Sequence, residues 1–419
     1  HSHSAPDTPA SARSPAAPSE HGARSHATSA PHSMHMSPFG LLGSYKSTRD
    51  ASGTSWQPDA STHRGWHIMA GEWMVMAHAQ ASYIYDTQSG QRGDEKGFFA
   101  GMIMASARRE FGADTLGFRA MLTPEPLMGR RGYPLLLATG ETANGMTHLV
   151  DRQHPHDLFM ELSGSFAHRF GEASAVFLYA GYPGEVALGP PAFMHRPSAE
   201  DNPQAPITHH WLDSTHVVFG VVSVGYVRRN WKLETSRFTG REPDQNRFGF
   251  DRARWDSSAV RLSWNPDAHW ALQVSGGKIK SPEQLEPNVD ETRFTASALY
   301  SADLSSNVSL VATLAWGVKQ PSAGKNLNGV LGEATLHIGE SWSVFTRAEW
   351  EENAEVDASG RIARVGEATI GALHDWRLAT HARLGLGALY SADFVPGYVA
   401  PVYGSNPHGA MAFVRIKID

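Results

Sequence analysis

Histidines and carboxylates crowd into two stretches of this chain. Pro190–His216 (PPAFMHRPSAEDNPQAPITHHWLDSTH) carries His195, His209, His210 and His216 beside Glu200, Asp201 and Asp213. His148–Asp157 (HLVDRQHPHD) adds His154, His156 and Asp157, and Glu161 follows. Imidazole and carboxylate together could bind a divalent ion. The spacings match no known metal signature, such as two histidines flanking a glutamate one helical turn apart. The competing reading is a hydrogen-bonded network in which Arg152, Arg196 and Asp201 pair. Both stretches are rich in chain-breaking residues and read as loops. Connections of this length are rare unless they serve a function.

Methionine supplies a second donor type. Met74, Met76 and His78 share one parity, with Val75, Ala77 and Ala79 on the other. Met102 and Met104 alternate with Gly101, Ile103 and Ala105, and Met121 is in line with Arg119. Thioether sulfur suits Cu(I), and imidazole suits Cu(II), zinc or nickel. Methionine is equally a filler of irregular gaps. The segment 1–38 is built from His, Ser, Ala and Pro, with little that could bury, and reads as a disordered tail. Within it His32, Met34, His35 and Met36 form a compact mixed-donor set. A third constellation, Ser214, His216 and Asp213, holds the residue types of a hydrolase. No nucleophile-elbow sequence accompanies it, and neighbours along a strand point to opposite faces.

Positioning these residues is the task of the rest of the chain. The 419 residues hold 36 Lys+Arg against 42 Asp+Glu, a formal net charge of −6, which argues against nucleic acid as a partner. There is no cysteine, in keeping with passage through an oxidising compartment. No apolar run is long enough for a transmembrane helix. The polar start at His1 is what a processed chain would show. From about residue 71 onward, apolar and polar residues alternate at period two in about sixteen runs, from 71–86 to 408–418. One run is read at 214–228, and a tight turn at Asp375–Trp376. Short and long connections alternate, as an up-and-down barrel in an outer membrane requires. Val260, Leu262 and Trp264 would face lipid, and Arg261 the lumen; Val414, Ile416 and Ile418 oppose Arg415 and Lys417 in the same way. Trp73, Tyr83, Tyr179, Trp231, Trp342 and Trp376 are among the residues at strand ends suited to interfacial girdles.

The fold class read from the sequence is therefore all-β. It is a transmembrane up-and-down antiparallel β-barrel of about sixteen strands spanning 66–419, with a disordered tail at 1–38 and a linker or lumen plug at 39–65. The methionine faces should point into the lumen, as should Asp157, Glu161 and Asp213, with His154, His156, His195, His209 and His210 at the pore mouth. Acidic outer loops opposite Arg261, Arg293, Arg347 and Arg383 should set up a transverse field.

The strand series resembles porin-type barrels of Gram-negative outer membranes. A His/Met-rich tail joined to such a barrel also resembles, in arrangement only, the outer-membrane copper-resistance proteins of the CopB type. The chain departs from serial Met/His repeats, and it ends Arg415-Ile416-Lys417-Ile418-Asp419 where such barrels commonly end in an aromatic residue. The resemblance implies outer-membrane lipid and lipopolysaccharide as surroundings, a tail in the periplasm, periplasmic metal carriers as partners and copper (Cu(I) or Cu(II)) or another divalent transition metal as the bound species. The expected function is a channel or metal-handling protein in copper homeostasis or resistance. The alternatives are a general small-solute porin with an incidental tail and a lipid-modifying barrel enzyme.

Overall fold

The computed structural model describes residues 39–62 and 65–419. The tail donors His32, Met34, His35 and Met36 lie outside the described residues.

Sixteen antiparallel strands close into a barrel: β1 (Trp73–Gln88), β2 (Glu95–Phe111), β3 (Asp114–Leu122), β4 (Phe159–Phe170), β5 (Ser174–Gly181), β6 (Val221–Arg228), β7 (Trp231–Phe238), β8 (Ser257–Trp264), β9 (Trp270–Ile279), β10 (Glu291–Ser305), β11 (Val308–Pro321), β12 (Leu327–Ile338), β13 (Trp342–Asn353), β14 (Ala363–Ala379), β15 (Ala382–Phe394) and β16 (His408–Ile418). Each pairs with the next. β16 closes the ring on Ala79–Gln88 of β1, and a short strand, Trp66–Ala70, pairs with the remaining part of β1. Closure gives each of the sixteen strands a partner on both sides.

The period-two pattern sets the faces. In β8, Ser257, Ala259 and Arg261 are buried inside while Val260 and Leu262 are exposed outside. In β16, Arg415 and Lys417 are buried and Val414, Ile416 and Ile418 are exposed. An apolar exterior over a polar interior is the surface a barrel presents to lipid. Aromatic side chains ring the short-turn end. Trp231 stacks on Trp264 with ring centroids 4.9 Å apart, Trp270 packs on Tyr300 at 4.7 Å, and Trp342 meets His374 at 4.6 Å. Short turns at this end use glycine where the backbone must turn left-handed, as at Gly112 (φ 63°) and Gly171 (φ 70°).

Four expectations need correction. The run read at 214–228 begins as a strand only at Val221. His209–Leu212 is a helical turn and Ser214–His216 a 3-10 turn, so strand parity does not apply to Asp213. The turn read at Asp375–Trp376 falls after Ala379, because β14 continues to the aromatic girdle. Tyr179 is buried in the lumen, where its hydroxyl donates to Glu161 Oε1 at 3.0 Å, and it takes no part in a girdle. The buried lumen arginines do not face acidic loops across open space. Arg261 pairs with Glu234 (3.0 Å), Arg293 with Glu291 (2.7 Å) and Arg347 with Glu333 (3.1 Å), all on the wall itself. Arg383, at the short-turn end, donates to the Glu340 carbonyl. Paired charges of this kind cancel locally.

The lumen is filled rather than open. Residues 39–62 lie within it near the short turns. Arg49 donates to the carbonyl of Arg229, the Gln57 carbonyl accepts from Asn265, and Arg261 donates to Thr54 Oγ1 and Ser55 Oγ. Arg49 pairs with Asp59 at 2.6 Å, and its guanidinium lies 4.7 Å from the Trp56 ring centre. From the opposite end, the connections 123–158 and 182–220 fold inward. They carry an apolar core of their own: Leu135, Leu136 and Leu137 are buried, and Tyr133 stacks on Phe98 of β2 at 4.5 Å.

A methionine-lined passage and a buried histidine cluster

Besides a larger cavity of about 540 Å³ beside Trp211, Glu291, Lys319 and Asn353, two smaller cavities lie along the inner wall of β1–β3. A cavity of about 120 Å³ is lined by Met76, His78, Met102, Met104, Met194 and His195, with Gln80 and Arg119. A second, of about 70 Å³, shares Gln80, Met102, Met194 and Glu200 with it and reaches Glu125, Phe193 and His156. The two are neighbours, one beside the segment 39–62 and the other beside the inward loops. One water occupies about 30 Å³ of liquid, so the two hold a few waters or a small ion.

The period of two puts the methionines here. Met76, Met102 and Met121 are buried on the lumen side, while Ile103, between Met102 and Met104, is exposed to the outside. Met104 pairs across the sheet with both His78 and Met121. His195 Nε2 lies 3.2 Å from Met121 Sδ. Met74 sits apart, opposite Arg108 towards the short-turn end. Met160 and Met194 join the cluster although sequence patterning did not single them out. Met160 precedes Glu161 and both are buried, because the pairing of β3 with β4 shifts register there. Met194 comes from the loop, next to His195. Burial, with Arg119 nearby, lowers the His195 imidazole to about 4, so it is neutral.

The histidines expected at the pore mouth are buried. His154, His156, His209, His210 and Asp213 are all buried, because the loops that carry them fold down into the barrel. His216 completes the cluster. Ring centroids are 5.0 Å apart for His156 and His216, 5.1 Å for His209 and His216, and 5.4 Å for His154 and His210. One ring nitrogen from each of His156, His209 and His216 lies within 4.8 Å of the other two. An oxygen holds Nδ1 of each: Glu125 Oε2 for His156 (2.8 Å), Asp213 Oδ1 for His209 (2.7 Å) and the Asp213 carbonyl for His216 (2.7 Å).

Charge is arranged around this group. Burial lowers His209, with Asp213 partly offsetting it, and lowers His216 further, aided by His156 and His209. Both imidazoles are thereby kept neutral. Burial alone would raise Asp213, but Arg196 and His209 outweigh it and hold the carboxylate well below its usual range. Arg196, fully buried, donates to Asp213 Oδ2 at 2.6 Å and to Glu333 Oε1 of β12 at 2.7 Å. It pins the loop to the wall. On the neighbouring wall Glu161 accepts from Ser163 (2.6 Å) and Tyr179. Asp157 pairs with Arg247 at 3.2 Å.

The Ser214, Asp213 and His216 grouping makes no hydrolytic relay. Ser214 Oγ accepts from Arg293, His216 is held by the Asp213 backbone, and both lie in the lumen, away from lipid.

No protein-family model matches the chain, and no curated protein is similar to it in sequence. Solved structures share its architecture. OmpF of Salmonella typhi, in complex with daunomycin, is similar with a TM-score of 0.53 at 10% identity, covering 84% of this chain and 100% of that one. An anion-selective porin from Comamonas acidovorans gives 0.48 at 11% identity, covering 83% and 100%. The outer membrane channel DcaP of Acinetobacter baumannii gives 0.46 at 10%, covering 85% and 100%. The likeness to OmpF shows the fold, a closed sixteen-strand antiparallel barrel.

Proposed function

We propose that this protein is a channel of the Gram-negative outer membrane that passes small polar solutes. The supporting observation is the pair of neighbouring cavities along β1–β3 inside a barrel whose outside is apolar and whose short-turn end carries an aromatic girdle. The solute is small because segment 39–62 and the two inward loops take up most of the bore. The test is reconstitution. Planar bilayers should show small, discrete conductance steps in potassium chloride, and liposomes should swell in small polar solutes but not in trisaccharide. Absence of any conductance from heat-modifiable, folded protein would refute the reading, as would free passage of the trisaccharide.

A second reading is favoured by the lining itself. Met76, Met102, Met104 and Met194, with His78 and His195, present thioether and imidazole donors to the path. Such donors are unnecessary for hydrated solutes and suited to Cu(I). On this reading the permeant is a soft metal ion and the protein serves copper homeostasis or resistance. Copper flux into loaded liposomes, compared with potassium flux, separates the two.

A further inference from the structure

We propose that His156, His209 and His216 form a three-histidine centre holding one divalent transition-metal ion of the Zn2+ and Cu2+ class. By doing so it ties the two inward loops together inside the barrel. The site adjoins the methionine passage, whose second cavity reaches His156 and Glu125, but it uses none of the methionines and does not depend on what the channel carries.

Three observations converge on it. The first is geometry. One nitrogen from each ring already lies within 4.8 Å of the others. Imidazole nitrogens bound tetrahedrally at about 2.0–2.1 Å stand about 3.3–3.4 Å apart, so modest ring movements complete the site. The second is orientation. All three Nδ1 atoms are engaged by oxygen acceptors, which fixes each ring and leaves Nε2 to coordinate. Metal-binding histidines are held in this way by carboxylates and carbonyls behind them. The third is an unmet need. His156 Nε2 and His216 Nε2 are buried and have no hydrogen-bond partner among the described residues. A buried unpaired polar atom costs about 1–3 kcal/mol, and a bound ion would give both nitrogens a partner.

The charge balance suits a dication. A metal-bound imidazole is neutral and adds no charge, while the carboxylates of Glu125 and Asp213 stand directly behind His156 and His209. Four ligands would be completed by water, as in zinc sites with three protein ligands. The three histidines come from separate places: His156 from the connection 123–158, His209 and His216 from 182–220. A bound ion would therefore cross-link the two segments that close the bore.

The experiment uses the full chain, purified in detergent, stripped with chelator and checked for heat-modifiable migration. Zn2+ is titrated against a competing chromophoric chelator, and Co2+ is added separately to read tetrahedral d–d absorption. The wild type should show the tetrahedral Co2+ signature. His216→Ala should lose that signature and one tightly bound Zn2+ equivalent. His148→Ala, at the exposed member of the separate His148, Glu283 and Glu355 group, should lose neither. Glu125→Gln keeps all three ligands and should weaken Zn2+ binding roughly 10-fold or more, the effect of altering a group behind a ligand. That variant carries the test if His216→Ala does not fold. Absence of the Co2+ signature in the wild type overturns the proposal. So does unchanged stoichiometry in folded His216→Ala, or unchanged affinity in Glu125→Gln. Failure of the channel reading would show as missing conductance and would leave these results untouched.

Discussion

Arg196→Met tests whether the inward loop is a docked part of the barrel. Methionine nearly preserves the chain's length and removes the charge. The wild-type guanidinium has no exposure to solvent and makes two charge-assisted bonds, 2.6 Å to Asp213 and 2.7 Å to Glu333. Removing one partner of a buried pair costs about 3–5 kcal/mol. Here both carboxylates keep other partners: Asp213 retains His209, and Glu333 retains Arg347 and Ser198. The lower end is therefore expected, about 3 kcal/mol, charged to docking of the loop and not to the strands. Each 1.4 kcal/mol is about tenfold in an equilibrium constant, so the loop should open roughly 100-fold more often. Hydrogen exchange of peptides covering 190–216 should accelerate by that order while strand peptides are unchanged, and mean conductance should rise. An acceleration of less than about threefold in folded protein would refute the reasoning, since the pair would then not be holding the loop.

Other consequences can be checked separately. Burial raises Glu185 to about 7 although Arg261 opposes it, and Ser55 of the inner segment donates to this carboxyl at 2.8 Å. A folded value above the usual 4.5 favours the protonated acid, so the stabilisation is complete below about pH 4.5 and is lost as pH rises through about 7. Hydrogen exchange of residues 50–60 should therefore be faster at pH 8 than at pH 6 after correction for intrinsic rates; equal protection would count against it. Ile370→Arg places a charge on the outward face of β14, where Ile370 is 60% exposed. In lipid this should cost about 2–4 kcal/mol near the midplane, read by denaturant unfolding in bilayers, whereas an exterior that faces water would register almost nothing. Met76→Leu with Met102→Leu preserves volume and removes two thioethers from the passage. Copper flux should fall with potassium conductance unchanged if the soft-metal reading holds, and equal copper flux would remove it.

The barrel was legible because its signal is repetitive. Val260 and Leu262 against Arg261, or Val414 and Ile416 against Arg415, state the two faces residue by residue, and alternating connection lengths state the topology. The same parity placed Met76, Met102 and Met121 on the inside. Where the chain leaves the strands that logic stops. His209 and Asp213 lie on a helical turn, and what sends their loop inward is the pairing of Arg196 with Glu333, separated by 137 positions. Nothing local in the sequence announces such a contact. Glu125 was missed for a similar reason: it is 31 positions from His156, in a different part of the same connection. Loop folding also turned an expected pore mouth into a buried cluster, and wall-to-wall ion pairs replaced an expected open field. Met160 escaped notice because a register shift breaks parity beside it.

The absence of cysteine permits a direct test of the passage. Gln80 lines both cavities, whereas Ala81, next to it on β1, faces outward. Single-channel current should be recorded for Gln80→Cys and Ala81→Cys before and after addition of a charged methanethiosulfonate reagent. Solute passage along the β1–β3 wall predicts that the reagent blocks most of the Gln80→Cys current and leaves Ala81→Cys unchanged. Undiminished current through labelled Gln80→Cys would contradict it, because the conducting path would then lie elsewhere in the barrel.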